Sequence, residues 1–424
     1  MGFAISPDGA GAATRGSLSW TPSGGHIQPV NFSENVQPIR PSATLAVAAR
    51  AGELRAQGRS IIDLSAGQPD SGTPEYIREA GVEAIRAGKT RYAPAAGIPE
   101  LRAAIASDLA RQYPAPASAD GIVVSAGAKQ SLFNAMFTLF GPGDRVLVPR
   151  PYWTSYPYLV RLARAEPVEV DPPGSGKVDV DALERAWDPS VRGLLLNSPS
   201  NPAGTVHRLD ELREIARWAH ERDVWILSDE IYARICFVAE RAPGMLDLDP
   251  DLLERVVVIN GASKAFAMTG WRIGFTHSAP ELARKMAAVQ SHITTSAATM
   301  SQWAAVAAYG DPPTQDRAVA ALCETFARRR DALLADFPEH LPGVGYIEPE
   351  GAFYLFFRID DFFDDATPDS VSVCTRLLES AGVAVVPGAA FGDDRYARLS
   401  FAASDEDLRE GVRLLAQALV GATA

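Results

Sequence analysis

The chain has 424 residues, 47% of them hydrophobic and 22% charged, so it is a globular protein too long for one ordinary core, and two compact units are expected. Its 40 basic residues face 52 acidic ones, a net charge of −12 with no basic stripe, which argues against a nucleic-acid partner, and no apolar run reaches the roughly 18 residues of a membrane span. Three scattered cysteines (Cys236, Cys323, Cys374) and six isolated histidines argue against a disulfide framework or a metal site and point to a reducing, cytoplasmic compartment.

Residues 1–34 are rich in Gly, Ala, Ser and Pro without apolar periodicity, and read as a flexible arm. The arm lacks the apolar h-region of a secretory signal. Residues 1–6 formally match a myristoylation pattern, but no polybasic stretch follows. Periodicity then predicts helices over 74–87 and 98–112, a strand over 121–125, a helix over 129–140, and a strand over Arg145–Pro149 after the turn at 141–144. Further apolar strands are expected at 193–197, 224–228, 255–260 and 272–276, with helices between most of them, notably Leu209–Glu221. This alternation predicts an α/β unit, a mainly parallel sheet covered on both faces, over 76–309. A long helix near 316–336, strands around 346–358 and 397–401 and a last helix, Asp405–Val420, predict a smaller α+β unit over 310–424 that also takes in 35–75.

Lysine usage narrows the chemistry. Five lysines occur against 35 arginines, and only lysine can lose its proton and form an imine. Lys264 follows an apolar strand and three small residues, Gly261-Ala262-Ser263, at a strand end where a parallel sheet carries ligands. Lys89, Lys177 and Lys285 sit in polar or charged settings; a solvated loop lysine is the plain alternative for Lys264. Asp229, after the strand at 224–228, needs a partner if buried; a protonated pyridine nitrogen suits it, and a helix-capping role is the alternative. Tyr232 and Asn201, the latter in the turn-rich Asn197–Gly204 stretch, could both donate to a ring phenolate oxygen. Ser125-Ala-Gly127-Ala128-Lys129 joins a strand to a helix N-terminus that suits a phosphate, with Arg272 able to add a charged bond. Trp153 could stack on a ring, though a core tryptophan is commoner. Arg398, inside an apolar strand, needs either a substrate carboxylate or a structural ion pair.

Taken together and in this order, these segments resemble the class I aminotransferases of pyridoxal 5′-phosphate (PLP) fold type I, in the aspartate/prephenate subgroup. The resemblance runs from about Pro38 to the last helix. It is carried by Pro41 through Thr44 to Val47, Ala66-Gly67-Gln68-Pro69-Asp70, Arg91-Tyr92 through Gly97 to Arg102, Ser198-Pro199-Ser200-Asn201-Pro202, Ser228-Asp229-Glu230-Ile231-Tyr232, Ser263-Lys264 through Trp271-Arg272, and Glu350-Gly351-Ala352-Phe353-Tyr354. It implies a PLP fold type I large domain with a smaller α+β domain, and a homodimer with shared active sites. It makes Lys264 the lysine that carries the cofactor and moves the substrate proton, with Asp229 on the pyridine nitrogen and Asn201 and Tyr232 on the phenolate oxygen. Trp153 would stack on the ring. Gly127, Ala128, Ser263 and Arg272, with Lys129 beside them, would surround the phosphate, which Tyr92 reaches from the other subunit. Gly67 and Arg398, with Trp153 and Asn201 at hand, would take the substrate's α-carboxylate side, and Arg40, Thr44 and Lys129 a distal carboxylate. The expected partners are amino acids and 2-oxo acids: aspartate or glutamate as donor, and 2-oxoglutarate or prephenate as acceptor in a ping-pong cycle. Ala128 for Gly, Gln68 for Glu, Arg40 for Lys and the stretch 295–299 depart from the subgroup pattern and bear on substrate choice. A different donor preference, a PLP lyase or oxidase on the same fold, and a non-catalytic regulator are the alternatives; a regulator would need a DNA-binding module that the short arm cannot supply.

Overall fold

The computed structural model describes residues 32–174 and 176–420. The arm expected over 1–34 lies outside them apart from 32–34, as does the pattern at 1–6. In chain order, helix α1 (Ala43–Ala56) and strand β1 (Ile62–Asp63) precede helices α2 (Glu75–Arg86) and α3 (Pro99–Gln112). Pro99 opens α3, where a missing N–H costs nothing. Strands and helices then alternate: β2 (Ile122–Ser125), α4 (Ala128–Leu139), β3 (Arg145–Pro149), α5 (Tyr156–Leu162), β4 (Glu166–Val170), α6 (Val180–Ala186), β5 (Val191–Asn197), α7 (Leu209–Glu221) and β6 (Trp225–Asp229). Strands β7 (Val256–Gly261) and β8 (Gly274–His277) lead to helices α8 (Pro280–Ser291), α9 (Thr299–Gly310) and α10 (Pro312–His340). The chain closes with β9 (Tyr346–Ile347), β10 (Tyr354–Arg358), α11 (Ser370–Arg376), β11 (Val383–Ala384), β12 (Val386–Pro387), β13 (Tyr396–Ser400) and α12 (Asp405–Val420).

Seven strands form the central sheet in the order β2-β8-β7-β6-β5-β3-β4. All pairings from β7 to β4 are parallel, whereas β8 runs antiparallel to both β7 and β2. The reason is the connection. A parallel neighbour needs a crossover, usually a helix, but the chain returns from β7 to β8 directly through 262–273. That return loop carries Lys264. The inner strands alternate between two cores: Ile226 and Val258 face one, Leu227 and Val257 the other. Burial on both faces explains why these strands are apolar without interruption.

A third core holds Phe353, Leu355, Phe357, Leu399 and Phe401 together with Phe326 and Phe337 of α10 and Leu415 of α12. Leu64, just after β1, packs into it, and β1 pairs with β11. Residues 62–64 thus join the C-terminal core despite their distance in sequence.

Three local differences from the sequence reading have physical causes. Strand β4 is a partly exposed edge strand whose Glu-Pro-Val-Glu-Val sequence lacks an apolar run. The strand foreseen over 346–358 is broken, because the amides of Glu350 and Gly351 both donate to the Gly204 carbonyl, at 2.9 Å each, instead of to a ladder. The strand foreseen from 272 starts at Gly274, because Arg272 has a left-handed φ of 58°.

Candidate active site

The carboxyl ends of the central strands converge on a cleft of about 540 Å3, whose wall includes Lys264, Asp229, Tyr232, Asn201, Arg272 and Arg398. This is where an open parallel sheet binds ligands. Each strand delivers one part: β7 leads to Ser263 and Lys264, β6 ends on Asp229, β5 leads to Asn201, β3 to Trp153, and β2 to Gly127 and α4.

Lys264 Nζ donates to the Gly67 carbonyl at 2.6 Å and lies 5.7 Å from the Tyr232 ring centre. Burial, together with the Arg398 and Arg272 cations, brings its ammonium down to about 8, within reach of giving up a proton near neutrality. Asp229 is 4% exposed. Its Oδ2 accepts from the Tyr156 hydroxyl at 2.8 Å and its Oδ1 from the Ile231 amide at 3.2 Å. Burial pushes the carboxyl up to about 6 against those two bonds. No arginine or lysine forms a salt bridge with it among the described residues, so a cationic ring nitrogen would complete it.

Arg398 is 1% exposed on β13, between Val386 and Phe356 on the flanking strands. Its two Nη atoms donate to Asn201 Oδ1 at 2.8 Å and to the Ser65 carbonyl at 2.9 Å. Those bonds use two of the five donors of a guanidinium, and Nε is buried without a protein partner. Because Asn201 gives its oxygen to Arg398, its amide nitrogen is left to donate elsewhere.

At the mouth of β2, Gly127 has φ 86°, and a Cβ there would run into the Arg272 guanidinium, so both backbone conformation and space require glycine. Gly127 caps α4, and Ala128 and Lys129 form the first turn, whose outward N–H groups suit an anion. Arg272 is steered there by bonds to the carbonyls of Thr269 (2.9 Å) and Ala126 (3.2 Å). Ser263 is on the same wall. Lys129 Nζ sits 4.8 Å from the Trp153 ring centre, and burial followed by the Arg272 charge lowers its pKa.

Thr44, in the first turn of α1, and Gly67 and Gln68 also line the cleft. Gln68 Oε1 accepts from Thr269 at 3.2 Å. Arg40 is exposed and outside the wall in this chain, as is Tyr92, which is 92% exposed. The stretch 295–299 is also outside it. Sequence reasoning missed Tyr156, which a lone tyrosine after Trp153 does not signal. It also gave no role to Tyr354, although the segment ending there was singled out. Tyr354 Oη lies 2.8 Å from Tyr232 Oη.

The description "aminotransferase class I and II" matches residues 59–415. The chain therefore belongs to this family and is a transaminase. It is 42% identical to the aspartate/prephenate aminotransferase of Thermus thermophilus, over 92% of this chain and 98% of that one. It is 40% identical to the aspartate aminotransferase of Streptomyces avermitilis, over 90% and 94% of the two chains. The solved aspartate aminotransferase of Thermus thermophilus with maleate superposes with a TM-score of 0.86 at 41% identity, covering 92% of this chain and all of that one. The architecture is accordingly that of a fold type I aminotransferase, as its sequence suggested.

Proposed function

We propose that this protein is a PLP-dependent aminotransferase that takes the amino group of L-aspartate, or of glutamate, and delivers it to a 2-oxo acid such as 2-oxoglutarate or prephenate in a ping-pong cycle. The observation that carries this reading is the charge of the cleft. Lys129, Lys264, Arg272 and Arg398 line it against the carboxylates Asp63 and Asp229. A cofactor phosphate and a dicarboxylate would balance that excess of cations.

The residues fit the cofactor. The first turn of α4, Ser263 and Arg272 would hold the phosphate, Trp153 would cover the ring, and Asn201 and Tyr232 would face its phenolate oxygen. Asp229, buried and paired only with neutral donors, suits the ring nitrogen. Bound there, PLP supplies an electron sink. The chain supplies the rest. Lys264, with its pKa brought down to about 8, takes and returns the substrate proton at Cα. The free donors of Arg398 hold the α-carboxylate, and Lys129 with Thr44 faces the distal one. Lys264→Ala removes both the covalent anchor and the base, so turnover should vanish; continued multiple turnover would refute the assignment.

The active site is proposed to be shared in a homodimer. Tyr92, exposed and away from its own cleft, would reach the partner's phosphate, while Arg40, four residues before Thr44, is proposed to join Thr44 and Lys129 at the distal carboxylate. The division into 35–75 with 310–424 against 76–309 is proposed on the C-terminal core, which is separate from the two that flank the central sheet. A cytoplasmic location is proposed on the free cysteines Cys236, Cys323 and Cys374. A panel of amino acids added to purified holoenzyme, followed by the cofactor's absorbance, tests donor choice directly: aspartate should convert the spectrum fastest.

A further inference from the structure

Tyr354 touches three parts of the site at once. It is fully buried on β10. Its hydroxyl oxygen lies 2.8 Å from that of Tyr232, with either able to donate. The guanidinium carbon of Arg398 sits 4.3 Å from its ring centre. Its Oη also lies 3.4 Å from where a Cβ would stand on Gly67, the residue whose carbonyl holds Lys264. No other protein group hydrogen-bonds either hydroxyl among the described residues.

A pair of phenols contains two protons and only one bond between the oxygens, so the direction of that bond decides where the second proton points. A cation beside one phenol strengthens that phenol as a donor. Arg398 lies against Tyr354, whereas Lys264 is 5.7 Å from the Tyr232 ring centre and faces the open cleft. We propose that Tyr354 is a positioning residue: it donates to Tyr232, and thereby turns the Tyr232 proton toward the cleft, where it is presented to the ligand's ring oxygen. Substrate-binding Arg398 and the phenol that tunes the cofactor are linked through this one side chain. The inference rests on the reading of the site as a PLP site.

Tyr354→Phe keeps the ring and removes only the donor. The test is an absorbance titration of holoenzyme, which reads the proton shared between Lys264 and the cofactor's ring oxygen. A Tyr232 without its donor is a weaker donor itself, so the ring oxygen becomes more basic. The midpoint should rise by a few tenths of a pH unit, the size expected of hydrogen-bond cooperativity. If Tyr232 instead donates to Tyr354, the same substitution frees its proton for the ligand and the midpoint falls; an unchanged midpoint means Tyr354 only packs. Either result overturns the proposal. The double variant Tyr232→Phe with Tyr354→Phe closes the cycle. It should titrate like Tyr232→Phe alone, because Tyr354 acts through Tyr232; additive shifts would show an independent role and overturn the inference. A wild-type protein that binds no PLP would sink the functional reading itself, which separates the two failures. Circular dichroism and the melting temperature establish that each variant is folded before its titration counts.

Discussion

Asp229 has one oxygen held by Tyr156 at 2.8 Å, and burial already holds its carboxyl up at about 6. Removing a donor from a carboxylate raises its pKa further, so it is neutralised earlier as the pH falls. In the loaded enzyme the cationic ring nitrogen would hold Asp229 below that value in both proteins, and with Tyr156→Phe the acid limb of kcat/KM should move to higher pH by about one unit from wherever it stands in wild type, the equivalent of one hydrogen bond. Activity at alkaline pH should change little, because Asp229 is ionised there in both proteins. Asp229→Ala removes the charge at every pH and should cost on the order of 10²-fold or more in kcat with the fold retained. A loss below about threefold would make Asp229 a strand cap. Lys129 allows a sharper test of substrate. Losing a charged hydrogen bond costs roughly 1.5–3 kcal/mol, or about 10- to 150-fold. Lys129→Ala should lower kcat/KM for aspartate by that factor and leave phenylalanine nearly unchanged. Equal losses for both donors, with weaker PLP binding, would assign Lys129 to the phosphate instead.

At the level of elements, the turn from β2 into α4 is the part least tolerant of change. Gly127 adopts φ 86°, and the Arg272 guanidinium occupies the space a side chain would need. Gly127→Ala must strain the backbone and displace Arg272 together. With ψ 161° the backbone lies in a region essentially confined to glycine, and that strain alone is about 1–3 kcal/mol. The variant should melt lower than wild type, and equilibrium dialysis should show PLP held at least tenfold less tightly. Arg272→Ala clears the space. Combined with Gly127→Ala, it should restore part of the lost melting temperature but not the affinity for PLP. The loop from β7 to β8 explains the other special element. Because 262–273 returns directly, β8 is antiparallel, and Lys264 sits at the turning point rather than in a helix.

For the whole molecule, the expected dimer makes a prediction that no single chain can meet. Tyr92 is exposed and outside its own cleft. In a hybrid of Lys264→Ala and Tyr92→Ala chains, one site carries both lesions and the other neither, if Tyr92 serves the neighbouring site. Activity should then rise above that of either parent on mixing and refolding. Hybrids confirmed by mass but without recovered activity would place Tyr92 in its own subunit's site or in none.

The strand-end positions of Lys264, Asp229 and Asn201, and the phosphate-type turn at Gly127, were legible because apolar runs followed by small or polar residues mark where buried strands stop. The alternation of strands and helices over 76–309 was legible for the same reason: burial on both faces leaves an uninterrupted apolar signal. Edge strand β4 left no such signal, and the break at 348–353 depends on the distant Gly204 carbonyl. The antiparallel sense of β8 was not specified by its four residues, since direction follows from the connection in space. Tyr156 and Tyr354 escaped assignment because only the folded chain brings the Tyr156 hydroxyl of helix α5 to Asp229, and the Tyr354 hydroxyl of strand β10 to that of Tyr232, each within 2.8 Å. The residue types capable of the chemistry were therefore determined by the sequence. Their hydrogen-bond partners, the pKa values set by burial and the exposure of Tyr92 were decided only by the tertiary structure, because each depends on groups far away along the chain.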